Sequence, residues 1–337
     1  MTEPEATSQI MGTMGNGSRH DQAPFAAGVH LPWAEVPDRV RRWVEESTRS
    51  TVTHARDVAG GFSPGSCAIL RLENGRSVFV KAIGASLNPD SPSMHRREVK
   101  VAAALPASAQ APRLLDHYDD GEWVALLFEE IVGTMPRHPW VERELQVIIE
   151  ALALLHAAVT PCPIDELERT SQQFAWSFGG WRSLAAMPAP PVGLDDWASR
   201  NLDRLVELEA EGVIAADEGD TLVHGDIRSD NLLLTESSVV FVDWPHASVG
   251  APVFDVVAWA PSVALEGGPA PEALLGRYPH HSGMQRDATT AVIAVVAGYF
   301  TYQAALPPLQ GLPTLRSFQD AQGTVARAWL RDRTGWA

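Results

Sequence analysis

The stretch 221–244, TLVHGDIRSDNLLLTESSVVFVDW, decides how the chain is read. A short hydrophobic lead-in gives way to a polar loop, His224-Gly225-Asp226-Ile227-Arg228-Ser229-Asp230-Asn231. An apolar run from Leu232 to Leu234, a turn, and a β-rich run from Val239 to Val242 follow, ending at Asp243. Two strands thus present three residues suited to handling metals or protons. Asp226 and Asn231 lie five residues apart on one loop, and Asp243 comes after a hairpin-like return, so all three can converge on one end of a small sheet. Phosphoryl transfer calls for such a set: its transition state is loose and spreads charge over the phosphoryl oxygens, so the protein must position a nucleophile and neutralise charge. Asp226 is expected to orient an acceptor hydroxyl and take its proton late, because a carboxylate of unperturbed pKa about 3.9 cannot deprotonate an alcohol in the ground state. Asn231 and Asp243 offer hard oxygen ligands to Mg²⁺.

H-G-D-x4-N followed by a strand ending in Asp-Trp resembles the aminoglycoside phosphotransferase family, which shares the eukaryotic-type protein kinase fold. The kinase loop pattern H-R-D-L-x-x-x-N stands here with Gly225 in place of Arg. The resemblance implies an α+β, protein-kinase-like fold of two lobes. Residues 30–130 would form a small antiparallel sheet that binds nucleotide, and 131–337 a larger, mainly helical lobe with the catalytic loop and acceptor site, after a flexible leader over 1–29. It implies Mg²⁺-dependent transfer of the γ-phosphate of ATP, or of GTP, to a hydroxyl of a small molecule, with aminoglycosides the best-known class. A metabolite or another antibiotic (amino alcohol, sugar, macrolide, peptide antibiotic) is an alternative acceptor, and a nucleotide-binding pseudokinase the non-enzymatic reading.

Outward from that stretch, Pro37 to Thr48 has helical spacing, and β-prone runs follow at Val52–Val58, Cys67–Leu72 and Ser77–Ile83. Asn74-Gly75 between the last two signals a hairpin. The cluster Gly60-Gly61-Phe62-Ser63-Pro64-Gly65 either forms an ordinary turn or, as in the resembled family, lets backbone N–H groups at Gly61, Ser63 and Gly65 approach phosphates. Of 26 basic side chains only two are lysines, so Lys81 at the end of a strand stands out. Its compact ammonium suits nucleotide phosphates. The resemblance pairs it with Glu98, on a helix over Met94–Leu105, with Arg96 and Arg97 as competing partners. Two more strands, Pro112–Tyr118 and Glu122–Ile131, would complete the sheet, and the resemblance places at Glu129 and Ile131 the hinge whose backbone grips the nucleobase.

The remaining chain reads as helical. Trp140–Val159 carries Leu145, Ile148, Ile149, Leu152 and Leu155 at helical spacing, and His156 near its end reads as a packed or hydrogen-bonding residue rather than a base. Residues 161–218 hold eleven carboxylates against four arginines, together with Trp176, Trp181 and Trp197. That segment is either an acidic, aromatic wall for a cationic acceptor or a solvated amphipathic helix over Leu194–Glu211. His224 and Asp255 are expected to support the loop from behind, Asp255 bracing it as in the resembled family or capping a helix. Arg228 would meet the transferred phosphoryl or the acceptor, or stand exposed. Only twelve residues separate Asp243 from Asp255, which leaves no room for a long activation segment and argues against peptide substrates.

Forty-two acidic against 26 basic residues give a net charge of −16, which argues against a nucleic-acid partner. Cys67 and Cys162 read as ordinary core thiols. The first residues show no basic segment followed by an apolar core, so a cytoplasmic protein is expected, and the apolar run Ala291–Phe300 reads as a buried helix rather than a membrane span. The tail 269–337 is slightly basic, which suits a less cationic acceptor.

Overall fold

Period-two burial over 66–72 and 77–82 marks the centre of the first layer. In the computed structural model, which describes residues 31–58, 65–89, 91–189, 194–279, 286–309 and 312–337, five antiparallel strands form one sheet. They are β1 (Val52–Asp57), β2 (Ser66–Leu72), β3 (Ser77–Gly84), β4 (Leu114–Asp119) and β5 (Trp123–Glu129), in the order β1-β2-β3-β5-β4. The β2–β3 hairpin turns at Asn74-Gly75, as the sequence predicts. The leader 1–29 and, within the glycine cluster, Gly61 and Ser63 lie outside the described residues.

Helices cover both faces of the sheet. Ala68, Leu70, Val78 and Val80 pack against Val40 and Val44 of α1 (Asp38–Thr48). On the other face Ile83, Leu126 and Phe128 meet Val99 and Ala102 of α2 (Ser91–Ala104). Register then sets Lys81 opposite Cys67 on one side and Leu126 on the other, in the middle of the sheet.

Past Glu129 the helical lobe begins. Its first long helix, α3 (Glu142–Ala158), buries Leu145, Ile148, Ile149, Leu152 and Leu155, the stripe that a 3.6-residue period turns inward. Then come α4 (Thr170–Gln173), α5 (Gly180–Ala185), α6 (Asp196–Arg200) and α7 (Leu202–Ala216). Two short strand pairs carry the decisive stretch: β6 (Thr221–Val223) pairs with β9 (Ser248–Gly250), and β7 (Leu232–Leu234) with β8 (Val239–Phe241). The chain closes with α8 (Val253–Leu265), α9 (Pro271–Leu275), α10 (Arg286–Ala305) and α11 (Leu315–Thr334).

The single helix expected over Leu194–Glu211 is two. Asn201 leaves helical geometry at φ −104°, and its Nδ2 donates to the Trp197 carbonyl at 2.9 Å and the Ala337 carbonyl at 3.0 Å. A side chain thus takes over a carbonyl at the helix end and ties the chain terminus to the break. The described part of the tail holds the short α9 and two longer helices, α10 and α11, each of 20 residues. By length and composition α10 could cross a membrane, but it packs among α5, α7, α8 and α11 and is a core helix.

Two glycines let α10 be approached this closely. A methyl at Gly212 of α7 would lie 2.0 Å from the Ala291 carbonyl oxygen, and one at Gly180 of α5 would lie 2.1 Å from that of Gly298. Backbone, not a flexible side chain, fills that space. Gly212→Ala is therefore expected to lower the unfolding free energy by about 2 kcal/mol, overpacking outweighing the gain of about 1 kcal/mol in helix propensity. Urea unfolding checks this, and a midpoint at or above that of the wild type would show that the helices can part without loss.

Candidate active site

The loop 224–231 leaves the end of β6 through a backbone turn that a buried carboxylate holds. Asp255, in the first turn of α8 and fully buried, accepts from His224 N at 2.8 Å through Oδ2 and from Gly225 N at 2.7 Å through Oδ1. Its Oδ2 also pairs with His156 Nε2 at 2.9 Å, whose Nδ1 meets the Tyr278 hydroxyl at 2.6 Å. Burial alone would raise the Asp255 carboxyl, but these donors hold it below the usual range. Asp255 braces the loop and is not an N-cap, a position taken by Pro252. His156 is a buried hydrogen-bonding residue, as its place in the sequence predicts. Gly225 fits where kinases carry Arg because φ is +79° and a Cβ would lie 2.6 Å from the His246 carbonyl oxygen.

His224 ties the loop to the segment that carries Asp243. Its Nε2 donates to the Val242 carbonyl at 3.0 Å and its Nδ1 accepts from Asp226 N at 3.2 Å, a pattern that requires the neutral ring. Burial lowers its pKa and so favours that form. Asn231, almost fully buried, donates through Nδ2 to the Asp226 carbonyl at 2.9 Å and to Asp226 Oδ2 at 3.1 Å, while Val242 N donates to the Asn231 carbonyl at 3.0 Å. Asp226 and Asn231 therefore form one hydrogen-bonded pair, and the Val242 tie brings the next residue, Asp243, to it along the chain. The amide hydrogens of Asn231 are turned towards Asp226, which leaves its Oδ1 as the end able to face a cation.

Lys81 joins Asp243 to the sheet. Its Nζ lies 2.7 Å from Glu98 Oε1 and 2.7 Å from Asp243 Oδ1. The pairing with Glu98 was expected; the second, across the cleft, was not. Burial would lower the Lys81 ammonium, yet Asp243 and Glu98 raise it above the ordinary lysine range. Likewise burial would raise Asp243, yet the Lys81 charge holds it well below the carboxylate range. Glu98, the more deeply buried carboxylate, is pushed up by its surroundings. Neither competing arginine takes Glu98: Arg96 pairs with Asp119 at 2.7 Å, and Arg97 with Glu168 at 2.5 Å and the Ala247 carbonyl at 2.7 Å.

A cavity of about 410 Å³ opens beside these residues, lined by Gly65, Lys81, Asp226, Arg228 and Asp243 on one wall. Arg228 is not exposed; its guanidinium grips Asp230 through two bonds, at 2.9 and 2.6 Å, and stands 3.9 Å from Asp226. The predicted hinge residues do not line this cavity: Glu129 closes β5, and its side chain accepts from Arg113 N at 2.9 Å. Cys67 is no plain core thiol, since it faces the cavity beside Lys81, where burial pushes it up to about 11. Of the three tryptophans in 161–218 only Trp176 reaches the cavity, whereas Trp181 and Trp197 are buried in the core.

The opposite wall was missed in the sequence. Tyr299 and Phe300 of α10 and Phe318 and Gln319 of α11 line it, together with Trp176 and Phe178. Apolar residues on two tail helices read as core, and only the folded chain brings them over the loop.

Comparisons with known proteins fit this geometry. A model described as the phosphotransferase enzyme family matches residues 54–292. A thermostable mutant of the aminoglycoside phosphotransferase APH(4)-Ia, in ternary complex with ADP and hygromycin B, is similar at a TM-score of 0.58 and 16% identity, over 87% of this chain and 98% of that one. Choline kinase LicA from Streptococcus pneumoniae aligns at 0.57 and 13% identity, over 88% and 100%. A putative fructosamine-3-kinase from Haemophilus somnus aligns at 0.54 and 13%, over 86% and 96%. At such identities these likenesses speak for the fold. No curated protein sequence matches the chain.

Two substitutions behind the loop test its support. Asp255→Ala strands three donors in the interior and is expected to cost about 3 kcal/mol in urea unfolding at pH 7, against about 1 kcal/mol for a lost N-cap. Glu266 accepts from Ser229 Oγ and Trp140 Nε1, each at 3.1 Å, and burial raises its carboxyl to about 7. A folded pKa raised above the unfolded value of about 4.3 means stability that is present below that value and lost as pH rises through about 7. The unfolding free energy of Glu266→Gln should therefore gain roughly 2–3 kcal/mol on that of the wild type between pH 4.5 and 8. Parallel pH profiles would overturn this.

Proposed function

The chain belongs to the phosphotransferase enzyme family, and from that premise we propose that it transfers the γ-phosphate of ATP, or of GTP, to a hydroxyl of a small molecule in a Mg²⁺-dependent reaction. The observation that carries this reading is one cavity lined by Lys81, Asp226 and Asp243, where Lys81 is bonded to Glu98 and Asp243 and Asp226 is bonded to Asn231. Kinase-type phosphoryl transfer uses a loop aspartate for the acceptor hydroxyl and an asparagine of the same loop for the metal, the arrangement of Asp226 and Asn231.

Each residue then has a distinct task. Lys81, aligned by Glu98, meets the α- and β-phosphates of the nucleotide as a point charge. The backbone of Gly65, which lines the cavity, is placed to approach the phosphates. Asp226 accepts a hydrogen bond from the acceptor hydroxyl and takes its proton as the bond to phosphorus forms. Arg228, fixed in plane by Asp230, offers N–H donors to the phosphoryl in flight. His224 and Asp255 touch neither substrate and keep Asp226 in place.

The donor set suits a hard, small cation. Asn231 Oδ1 and the Asp243 carboxylate are oxygen ligands, and among the described residues no cluster of three or more His, Cys, Asp or Glu side chains forms a metal cage. Two protein ligands completed by nucleotide phosphates and water match the way Mg²⁺ is bound. The ion would neutralise charge on the phosphate oxygens.

Asp226→Asn is expected to lower kcat by about 10³-fold while the Kd for Mg·AMP-PNP changes no more than a few-fold. Turnover close to that of the wild type would remove Asp226 from its role. Chelation with EDTA should abolish transfer of labelled phosphate from ATP and added Mg²⁺ should restore it; transfer that survives chelation would overturn the metal dependence.

A further inference from the structure

The cavity wall that faces Asp226 is uncharged and aromatic, and from it we infer that the acceptor is a hydroxylated molecule with an apolar or aromatic body and at most one positive charge, not a polycationic aminosugar. The inference rests on the phosphotransferase reading above and narrows its acceptor. Tyr299 and Phe300 stand with ring centroids 5.0 Å apart, and Trp176 meets Tyr299 edge to face at 5.6 Å. Phe178, Val295 and Phe318 continue the surface, and the polar groups on it, including Ser262 and Gln319, are neutral. Among the described residues, no charged side chain from the segment 176–178 or from α8, α10 or α11 lines this cavity. Its charges all sit on the opposite side, with the sheet, α2 and the loops that carry Asp226 and Asp243.

The acidic segment does not repair this deficit. None of its carboxylates lines the cavity, and several are engaged elsewhere. Glu209 is buried and accepts from Trp181 N at 3.0 Å and Arg182 N at 3.2 Å, closing the start of α5. Glu168 pairs with Arg97, Asp195 with Arg327, and Asp217 with Ser171 N and Oγ. In the tail, Glu272 accepts from Trp329 Nε1 at 2.7 Å and from Arg333. Four carboxylates of 161–218 thus serve helix starts and inter-element ties, and the other seven are exposed outside the cavity.

Desolvation decides the matter. An ammonium carried into a site lined by Phe, Val and Tyr loses its water and finds carboxylates only at Asp226, which must also receive the reacting hydroxyl, and at Asp243 and Glu98, which already share the Lys81 ammonium. Several ammonium groups would be stranded. A single cation could be met by the ring faces of Trp176 or Tyr299. An apolar body instead gains from the same wall.

The test is equilibrium dialysis of the full chain, with and without Mg·AMP-PNP, against two probes: 2-(2-naphthyl)ethanol, neutral and aromatic, and kanamycin, a polycation. The expected result is saturable binding of naphthylethanol at least 10-fold tighter than that of kanamycin. Trp176→Asp, at an exposed position that tolerates replacement, should weaken naphthylethanol about 10-fold, and Trp176→Phe should restore it. Kanamycin binding more tightly than naphthylethanol, or no naphthylethanol binding by a chain that holds AMP-PNP, would overturn the inference and leave the phosphotransferase reading standing. Naphthylethanol binding that responds to Trp176→Asp in a chain with no affinity for AMP-PNP would keep the inference about this wall and overturn the nucleotide reading. Failure of both ligands would overturn both.

Discussion

One ammonium shared by two carboxylates is the constraint on which the site depends. Lys81 lies in mid-sheet, Glu98 on the helix over that sheet and Asp243 two residues beyond β8 in the other lobe, with both Nζ–O distances at 2.7 Å. Glu98, with 3% of its side chain exposed, would be costly in charged form without the lysine, while Asp243, with 39% exposed, keeps part of its solvation. The pairing therefore does more than neutralise. It fixes how the two lobes meet, because Asp243 can reach Lys81 only when the cleft is at its present width.

Behind that junction the helical lobe repeats the same economy with Asp255. A single carboxylate fixes His224 and Gly225 through their backbone, and a neutral His224 then fixes Asp226 and Val242. The residues proposed to react are held by residues that do not touch substrate, through short buried bonds with little rotamer freedom. Such support is what keeps a catalytic geometry within a fraction of an ångström.

Much of this was legible because the chemistry is local in sequence. Asp226, Asn231 and Asp243 fall within eighteen residues of one another, and the hairpin at Asn74-Gly75 and the stripe on α3 follow from turn chemistry and period. The Lys81–Asp243 contact was not legible, since 162 residues separate its ends and nothing in either side chain names its partner. Nor was the uncharged wall. Val295, Tyr299 and Phe300 have the composition of core residues, and a helix that is apolar all round gives no sign of which side meets a cavity. The acidic segment left two readings open, because charge counted along the chain says nothing about which carboxylates are consumed by caps and ties, as Glu209 and Asp195 are. The break at Asn201 was likewise hidden, because the group that stabilises it, the Ala337 carbonyl, lies at the far end of the chain.

Helix α10 belongs at once to the core and to the cavity. One side of it touches α5 and α7 through backbone-close crossings at Gly180 and Gly212, while Val295, Tyr299 and Phe300 look onto the loop. Any change of acceptor preference made on α10 must pass through the stability of the whole lobe, whereas Trp176, 59% exposed, can change with little effect on folding. Divergence of such an enzyme towards new acceptors is thereby channelled: variation should collect at the rim around Trp176, and the inner wall should stay near its present volume and polarity even as the substrate drifts.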